Sequence, residues 1–389
     1  MNTPRILFIT TVHATHRAFL LPFARYFRMK NWRVDAMAAG ITSCSECKTD
    51  YDRVYEIEWS RNPLDSDNFT RAVSRVRKAV EEGAYNLVHV HTPVAAFVTR
   101  YALRNLRRIK KPKVIYTAHG FHFHRNGRPL SNAIFLGLEK LAGRWTDYLV
   151  VINREDEAAA RRYRIVPPER LRYMPGIGID LNQYTAERVS QEDIKRVREE
   201  LKLEERQKLL LMVAAFDPGK RHKDAIEALA LLRRKEVVLA FAGEGPLRPR
   251  IEELAQSVGV AEQVRFLGFR KDIPALMRAS VATVLTSERE GLPRAVMESM
   301  ALGVPVIGAD ARGTRDLLES GAGIVVPVGN VVALAEAMQY LINQPEEADR
   351  MGKHGLEAIR AYDLANILRL HMELYDEVLR EKRSAFFGA

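Results

Sequence analysis

Cysteine is scarce in this sequence. Its 389 residues include only Cys44 and Cys47, in one Cys-x-x-Cys string, and no second pair exists. A structural zinc site needs four ligands, so this pair alone does not predict one. A thioredoxin-like redox pair begins a helix beside a strand, whereas these cysteines follow the second predicted strand in a polar segment. We therefore predict two reduced thiols at the surface.

Long hydrophobic runs are also missing. No run of about 18 apolar residues occurs, so the sequence predicts no helix that crosses a bilayer. The chain passes directly into a strand pattern at Arg5, without the charged and then apolar segment of an export signal. With 47% hydrophobic and 28% charged residues the composition is that of a globular protein. We expect a cytoplasmic protein that is long enough for two domains.

Glycine is missing where a dinucleotide-binding motif needs it. That motif places G-x-G-x-x-G directly after the first strand, but residues 12–17 read Val-His-Ala-Thr-His-Arg. The string that begins at Gly243 lacks the third glycine, and the one that begins at Gly176 has no helix start. The sequence therefore argues against a nicotinamide-dependent dehydrogenase.

Short apolar runs alternate with helical patterns along the chain, which predicts doubly wound parallel sheets. The predicted strands occupy residues 5–11, 33–38, 87–92, 113–119, 148–153, 208–216, 237–243, 264–268, 282–287, 305–309 and 323–328. A polar stretch, 183–207, divides them into two series. We predict an α/β protein with domains at 1–182 and 183–362 and a C-terminal helix within 363–389. Ligands bind beyond the carboxyl ends of such strands, so the residues that follow strands are the candidates.

The most informative segment runs from Thr286 to Glu298 as Thr-Ser-Glu-Arg-Glu-Gly-Leu-Pro-Arg-Ala-Val-Met-Glu, between a predicted strand and a predicted helix. Glu290 and Glu298 lie just over two helical turns apart, and their carboxylates suit sugar hydroxyls. The amides of Gly291 and Leu292 precede a helix start, where they suit an anion. The same spacing is also common between glutamates that only face solvent, so the functional interpretation depends on the residues around Glu290 and Glu298.

That string, with Met-Glu-Ser-Met-Ala-Leu-Gly-Val-Pro-Val at its end, resembles the signature of the family 4 retaining glycosyltransferases. Residues 243–248, 264–272 and 322–328 resemble landmarks of the family's donor domain, in the expected order. Residues 115–123, 146–156 and 175–180 are similar to its branch of capsule and exopolysaccharide enzymes. The resemblance implies the GT-B fold, in which an acceptor-binding and a donor-binding Rossmann-like domain face each other across a cleft. It also implies that the last helix crosses back to the first domain.

The resemblance implies donor-binding roles in the second half. Lys220 and Arg221 follow a strand and precede a helix, where cations neutralise a pyrophosphate leaving group. Glu290 would bind the sugar hydroxyls, and Glu298 the ribose. Relatives commonly carry an arginine where this chain has Ala215, and Arg221 is the candidate to replace it. The remaining donor contacts would be Gly243, Glu244, Arg270, Gly291 and Leu292.

In the first half the resemblance implies that His119, at a strand end, meets the donor sugar as a neutral imidazole. His119, His122 and His124 form a His-x-x-His-x-His string, but no carboxylate ligand motif accompanies them. The resemblance implies a metal-independent enzyme without a cofactor. The acceptor side would be lined by His13, His16 and Asn153.

The implied reaction transfers a hexosyl or N-acetylhexosaminyl unit from a nucleotide diphosphate sugar, with uridine as the favoured base. The acceptor would be a polyprenyl-diphosphate-linked saccharide or a related molecule. Retention would follow attack on the leaving-group face with a phosphate oxygen as base, and domain closure would exclude water. Two alternatives stay open: a nucleotide-sugar epimerase of the same fold, and a non-catalytic binding paralogue. The Glu290–Glu298 string argues against the first, and the retained charged residues argue against the second.

Positive charge is concentrated in one half. Residues 1–180 hold 30 Lys and Arg against 17 Asp and Glu, whereas residues 181–389 hold 30 against 32. The excess is densest at 71–78 and 100–113. Such clusters suit an anionic membrane surface or a phosphate-bearing acceptor, and no nucleic-acid motif accompanies them. We expect peripheral attachment to the inner face of the membrane, with a merely solvated basic surface as the alternative.

Overall fold

A computed structural model describes residues 3–59, 66–106, 112–125 and 127–387. The chain divides into two compact units. The first unit comprises Met1–Ile177 and Ala365–Ala389, and the second comprises Gly178–Leu364. Each unit is built on one sheet of parallel strands, which confirms the predicted α/β class.

The sheet of the first unit consists of β1 (Arg5–Val12), β2 (Arg33–Ala39), β3 (Arg53–Glu56), β4 (Leu87–His91), β5 (Lys113–Ala118), β6 (Tyr148–Val151) and β7 (Leu171–Tyr173). The strand order is β3-β2-β1-β4-β5-β6-β7. The central strand β4 is buried along its whole length, as expected for a parallel sheet covered on both faces. The two edge strands were not predicted, because segments of four and three residues show no periodicity of their own.

The helices of the first unit up to residue 162 are α1 (His13–Thr15), α2 (Leu21–Met29), α3 (Ser45–Asp50), α4 (Ser66–Phe69), α5 (Arg71–Gly83), α6 (Pro93–Leu103), α7 (Pro129–Gly143) and α8 (Arg154–Arg162). A π-helical turn, His16–Leu20, joins α1 to α2. The chain is therefore helical directly after β1.

The sheet of the second unit consists of β8 (Lys208–Val213), β9 (Val237–Ala242), β10 (Val264–Gly268), β11 (Ala282–Leu285), β12 (Val306–Ala309) and β13 (Gly323–Val326). These strands lie in the order β10-β9-β8-β11-β12-β13. The surrounding helices are α9 (Gln191–Glu200), α10 (His222–Leu232), α11 (Arg248–Ser257), α12 (Ile273–Arg278), α13 (Arg294–Ala301), α14 (Arg312–Leu318), α15 (Val331–Asn343) and α16 (Pro345–Ala358).

The last helix, α17 (Leu364–Phe387), packs almost entirely within the first unit. The hydroxyl of Tyr375 lies 2.5 Å from Nδ1 of His89, which is on β4. The carboxylate of Glu377 accepts hydrogen bonds from Tyr148 on β6 and from Arg172 on β7. These buried and half-buried contacts hold α17 against the sheet.

Each sheet has one point at which the strand order reverses. That point lies between β1 and β4 in the first unit and between β8 and β11 in the second. In doubly wound sheets, ligands bind beyond the carboxyl ends of the strands at such a switch point. The loops after β8 and β11 carry Lys220 and Glu290, so the topology places both predicted residues at the switch point of the second unit.

The prediction of reduced surface thiols is wrong. Cys44 and Cys47 form a disulfide. Cys44 caps α3, Cys47 lies in its first turn, and both side chains are buried. The polar residues around the pair suggested an exposed loop, but α3 packs against α2 and turns the cysteines inward.

Candidate active site

The loops after β8 and β11 are joined by hydrogen bonds. The hydroxyl of Thr286 lies 2.7 Å from the carbonyl oxygen of Lys220 and 3.0 Å from that of Arg221. The amide of Glu288 donates to the carbonyl of Gly219 at 3.0 Å. Each loop therefore positions the other. Thr286 was not predicted as a site residue, although it lies at the end of a predicted strand.

An ion pair lies at this junction. The Nζ atom of Lys220 is 2.5 Å from Oε1 of Glu290, and the side chains are 30% and 12% exposed. The two residues are far apart in the sequence, and the reversal of strand order brings them together. Because its ammonium remains partly exposed, Lys220 is accessible to an anion while Glu290 orients it. The structure thus unites two residues that the sequence predicted separately.

Arg221 is held by an acid of the following helix. Its guanidinium donates two hydrogen bonds to Asp224, at 2.6 and 3.0 Å, and the carboxylate of Asp224 is almost fully buried. The hydrogen bonds to Asp224 raise the pKa of Arg221. Asp224 was not predicted. In this conformation the guanidinium of Arg221 is bound to Asp224. Position 215, where relatives commonly carry an arginine, is alanine and adds no cation to this loop.

Glu298 belongs to a polar cluster on α13. Its Oε1 accepts a hydrogen bond from Nε of Arg294 at 2.8 Å, and its side chain is largely buried. Tyr184 lies beside both residues, with its hydroxyl 3.5 Å from Nη2 of Arg294. Burial, and then the charge of Glu298, raise the pKa of Tyr184. The spacing of four residues between Arg294 and Glu298 is a helical pairing signal that the sequence interpretation did not use.

The start of α13 lies next to Glu290. The helix begins at Arg294 with Pro293 as its N-cap. Within the described residues, the amides of Gly291 and Leu292 donate no hydrogen bond to the protein. A Cβ atom on Gly313 would come within 1.9 Å of the carbonyl oxygen of Gly291, so α14 packs closely beneath this turn. The anion site at these amides stays a prediction.

Gly243 and Glu244 follow β9. A Cβ atom on Gly243 would come within 2.0 Å of the carbonyl oxygen of Ala214, so glycine is required for the loops after β8 and β9 to pack together. The side chain of Glu244 is exposed, and its carbonyl accepts a hydrogen bond from the amide of Phe216 at 3.0 Å. Both residues therefore border the loop that carries Lys220.

Arg270 connects two elements of the second unit. Its guanidinium forms ion pairs with Glu200, at the end of α9, and with Asp272, before α12. Hydrogen bonds to Glu200 and Asp272 raise its pKa. Arg270 therefore links α9 to the segment before α12 through its two ion pairs. A contact between Arg270 and the donor, as predicted, would require these ion pairs to rearrange.

Two histidines meet at the carboxyl ends of β4 and β5. Nδ1 of His91 is 2.9 Å from Nε2 of His119, which is half-buried. Burial lowers the pKa of His119 to about 4. Burial also holds the pKa of His91 well below its usual range, so both rings are neutral at pH 7. His91 was not predicted as a site residue.

The burial of His16 contradicts its prediction as a residue that lines the acceptor side. His16 begins the π-helical turn after α1 and is fully buried. Its Nδ1 lies 2.8 Å from the hydroxyl of Tyr51, its Nε2 lies 3.4 Å from the carbonyl oxygen of Met37, and burial lowers its pKa to about 4. His13 begins α1 and is half-buried, with Nδ1 3.2 Å from the carbonyl oxygen of Ala39.

Asn153 is also buried, which contradicts its prediction as a lining residue. Its side-chain oxygen caps α8 by accepting from the amide of Asp156 at 2.8 Å, and its Nδ2 donates to Oδ2 of Asp156 at 2.8 Å. The same Oδ2 accepts from the amide of Phe121 at 3.1 Å. Asn153 and Asp156 thus hold the segment that follows His119. Their Asn-x-x-Asp spacing is a capping signal that was present in the sequence.

In the part of the chain that the structure describes, no group of three or more His, Cys, Asp and Glu side chains is arranged to hold a metal ion. The sequence does contain Asp-x-Asp triplets at 50–52 and 65–67. Asp50 lies 2.7 Å from Arg25, and Asp52 lies 3.1 Å from Arg28. These ion pairs tie the first triplet to α2, and Asp65 lies outside the described residues.

Several cations of the two basic clusters are engaged within the first unit. Arg100 is fully buried, with Nη2 3.0 Å from a carboxylate oxygen of Glu139. Nε of Arg77 donates to the carbonyl of Ala102 at 2.9 Å. Four further cations lie outside the described residues: Arg107, Arg108, Lys110 and Lys111. Of the helices in the described ranges, none has the length and apolarity needed to cross a membrane.

Models of two protein families match the chain. The model described as Glycosyltransferase Family 4 matches residues 18–183, and the model described as Glycosyl transferases group 1 matches residues 193–358. The putative glycosyltransferase EpsD of Bacillus subtilis is 33% identical over 378 residues, which cover 96% of each chain. The UDP-Gal:alpha-D-GlcNAc-diphosphoundecaprenol alpha-1,3-galactosyltransferase of Escherichia coli is 26% identical over 267 residues, 67% of each chain.

Solved structures share the fold. HepE of Anabaena, in complex with UDP and glucose, superposes with a TM-score of 0.80 at 21% identity, over 96% of this chain and 100% of HepE. A glycosyltransferase of Rickettsia africae superposes with a TM-score of 0.80 at 17% identity, over 97% of this chain and 99% of that protein. At such identities the likeness concerns the fold alone.

Proposed function

Since the chain belongs to family 4 of the glycosyltransferases and has the GT-B fold, we propose that it transfers a hexosyl unit from a UDP-linked sugar with retention of configuration. One observation carries this proposal: the Lys220–Glu290 ion pair of 2.5 Å at the switch point of the second unit. It combines, in one place, a cation for a diphosphate and an acid for sugar hydroxyls.

Lys220 has the chemistry needed at the leaving group. Negative charge grows on the diphosphate as the glycosidic bond breaks, and a fixed cation lowers the barrier by stabilising that charge. The hydroxyl of Thr286 holds the backbone of Lys220, and Glu290 holds its ammonium, so little reorganisation is needed when the charge develops. The amides of Gly291 and Leu292 are proposed as further diphosphate donors at the start of α13.

Glu290 is proposed to bind the donor sugar through hydroxyl groups, and Glu298 is proposed to bind the ribose. Arg294 orients Glu298 through the hydrogen bond from its Nε atom, and the hydroxyl of Tyr184 lies beside Arg294. Gly243 and Glu244 are proposed to border the base, where backbone groups are available. Arg221 joins the diphosphate site only if its pair with Asp224 opens.

In the first unit we propose that His119 donates a hydrogen bond to the donor sugar as a neutral imidazole. Its pKa of about 4 supports this role, because the ring stays neutral throughout the physiological range. A phosphate oxygen of the donor is the proposed base, so no carboxylate nucleophile and no metal take part. His13 is proposed to face the acceptor, while His16 and Asn153 act as positioning residues.

The proposed acceptor is a saccharide on a polyprenyl diphosphate, in the synthesis of a cell-surface polysaccharide. Two observations support it: the resemblance of residues 115–123, 146–156 and 175–180 to capsule and exopolysaccharide enzymes, and the Escherichia coli relative, whose name specifies a diphosphoundecaprenol acceptor. The enzyme would then work at the membrane surface that carries this lipid.

The test is a product analysis with UDP-glucose, UDP-galactose, UDP-N-acetylglucosamine and UDP-N-acetylgalactosamine, each with a short-chain prenyl-diphosphate-linked N-acetylglucosamine. We expect one donor to yield UDP and a new glycoside, equally well with and without EDTA. NMR of the product is expected to show the anomeric configuration of the donor. An inverted product contradicts retention, and inhibition by EDTA contradicts metal independence.

The same analysis separates the two alternatives. An epimerase would convert the donor sugar without using the acceptor, and a binding paralogue would give thermal stabilisation by UDP without any product. UDP at about 100 times its dissociation constant stabilises a folded protein by about 2.7 kcal/mol, so binding alone is measurable.

A further inference from the structure

Helix α7 exposes an apolar face. Leu130 is 76% exposed, Ile134 is 54% exposed and Leu141 is 41% exposed. At 3.6 residues per turn the three side chains lie within about 40° of one another around the helix axis. Ala133 and Gly137 lie on the same side and are exposed as well. Large aliphatic side chains aligned on one surface line mark an interaction site.

The opposite face of α7 packs against the rest of the first unit. Glu139 lies about half a turn around the axis from Leu130. It faces inward, where its carboxylate accepts a hydrogen bond from buried Arg100 at 3.0 Å. Phe135 and Leu136 pack against the core of the first unit on the same inner side. Helix α7 therefore packs its inner face against the protein, and Leu130, Ile134 and Leu141 lie on its outer face.

The exposed charged residues of α7 and of the positions that flank it are positive. Arg128, Lys140 and Arg144 are exposed on and beside α7. Within the described part of the chain, none of these three cations forms an ion pair. Glu139 is the one acid of α7, and it is paired internally. The chemistry of this surface complements an apolar layer covered by anions.

We propose that α7 lies in the plane of an anionic membrane, with Leu130, Ile134 and Leu141 among the acyl chains and its cations at the phosphates. A helix with an apolar face and a basic border binds a lipid interface in this way. Its 15 residues span about 22 Å, less than the hydrocarbon thickness of about 30 Å, so α7 lies along the membrane and does not cross it.

This inference rests on the proposed function, because a lipid-linked acceptor requires the enzyme to reach a membrane. It assigns the contact to α7, whereas the sequence suggested the clusters 71–78 and 100–113. In those clusters Arg100 and Arg77 are engaged with the protein itself. A second copy of the chain would satisfy the apolar residues but would bring the three cations of each copy together, which disfavours it.

The test measures binding of the full-length protein to vesicles by flotation, using phosphatidylcholine alone and an equal mixture with phosphatidylglycerol. We expect binding to the anionic vesicles, little binding to the neutral ones, and weaker binding at 1 M salt, where the Debye length is about 3 Å. The double variant Leu130→Ser with Ile134→Ser is expected to bind about 100-fold more weakly, since each aliphatic side chain contributes about tenfold.

The matched control replaces two exposed aliphatic residues of the second unit, Leu231→Ser with Val332→Ser, which are 51% and 57% exposed. This variant is expected to bind vesicles like the natural protein. In addition, Ile134→Trp is expected to show a new fluorescence component that brominated lipids quench. Thermal stabilisation by UDP, measured without vesicles, is expected to be the same for all variants and tests donor binding independently of docking.

Full vesicle binding by the α7 double variant would overturn the proposal, as would equal failure of the natural protein to bind both vesicle types at low salt. A concentration-dependent dimer that the α7 variant abolishes, with vesicle binding unchanged, would assign the surface to a second copy. Loss of UDP stabilisation in the natural protein with vesicle binding intact would instead refute the proposed function and leave the membrane contact standing.

Discussion

Nδ1 of His91 lies 2.9 Å from Nε2 of His119, and the Nε2 atom of His91 is buried without a hydrogen-bond partner among the described residues. Each neutral ring carries one N–H group. A proton on Nε2 of His91 would be a buried donor without an acceptor, which is costlier than an unused lone pair. His91 therefore donates from Nδ1 to Nε2 of His119. His119 in turn keeps its proton on Nδ1, and this is the N–H group that it offers to a ligand.

Replacing His91 is therefore expected to impair turnover through His119. His91→Leu removes the donor, and we expect kcat to fall about tenfold or more with little change in KM for the nucleotide sugar. His91→Asn retains an N–H group near the position of Nδ1 and is expected to recover part of the lost rate. Steady-state kinetics of both variants provide the measurement. Equal rates for the leucine and asparagine variants would show that His91 only fills space.

Lys220→Ala is expected to reduce turnover more than donor affinity, because the charge that Lys220 meets grows as the bond breaks. A loss of about 10²- to 10³-fold in kcat is typical for one such electrostatic contact. Lys220→Arg should retain part of the activity, and Lys223→Ala, an exposed cation on α10, serves as the control. Near-normal turnover of Lys220→Ala with an intact fold would refute the pyrophosphate assignment.

Glu298→Gln is expected to weaken the affinity for UDP. Hydrogen bonds to a charged group contribute about 1–3 kcal/mol, so their loss corresponds to a dissociation constant that is roughly 5- to 150-fold larger. Isothermal titration measures this directly, and Glu319→Gln at an exposed site of the same unit is the control. If both glutamine variants bind UDP equally well, Glu298 does not contact the ribose.

The buried histidines predict that acid destabilises the first unit. Burial lowers the pKa values of His16, His119 and His371 from 6.5 to about 4, and holds those of His89 and His91 well below 6.5. Between pH 6.5 and 4 the unfolded chain binds more protons than the folded chain. The stabilisation is therefore complete above pH 6.5 and is lost as the pH falls towards 4, by up to about 1.4 kcal/mol per histidine and pH unit.

Urea unfolding at pH 7.5, 6.0 and 5.0 measures this loss. The variant His371→Phe retains an aromatic ring beside Phe23 and Tyr375 and removes one titrating group, so its midpoint should fall less steeply with pH. A urea midpoint that stays constant from pH 7.5 to 5.0 would mean that these rings do not titrate on unfolding.

Much of the fold follows from local patterns. Every predicted strand is present, because an apolar run between turn residues is sufficient to mark a strand that is buried on both faces. The edge strands β3 and β7 were missed, since they acquire their identity only by pairing with β2 and β6. The capping box of α9, Ser190 with Asp193, lies within the polar stretch 183–207, which the structure assigns to the second unit.

The candidate site divides in the same way. Lys220, Glu290 and His119 were predicted because the strings around them resemble family motifs, and each lies at or after the end of a predicted strand, which is a local property of the sequence. His16 and Asn153 met the same criterion and proved to be buried. What separates the two groups is whether the side chain turns towards the protein interior, and neighbours from other elements, such as Tyr51 beside His16, decide that.

The sequence by itself determined the α/β class, the family and the loops that carry the candidate residues, because apolar periodicity and motif spacing are properties of neighbouring positions. Only the tertiary structure decided the partners: Glu290 for Lys220, Asp224 for Arg221 and His91 for His119. It also decided that Cys44 and Cys47 are buried and joined. The physical reason is that burial, hydrogen bonding and pKa depend on the groups that folding brings around a side chain, and most of these groups are distant in the sequence.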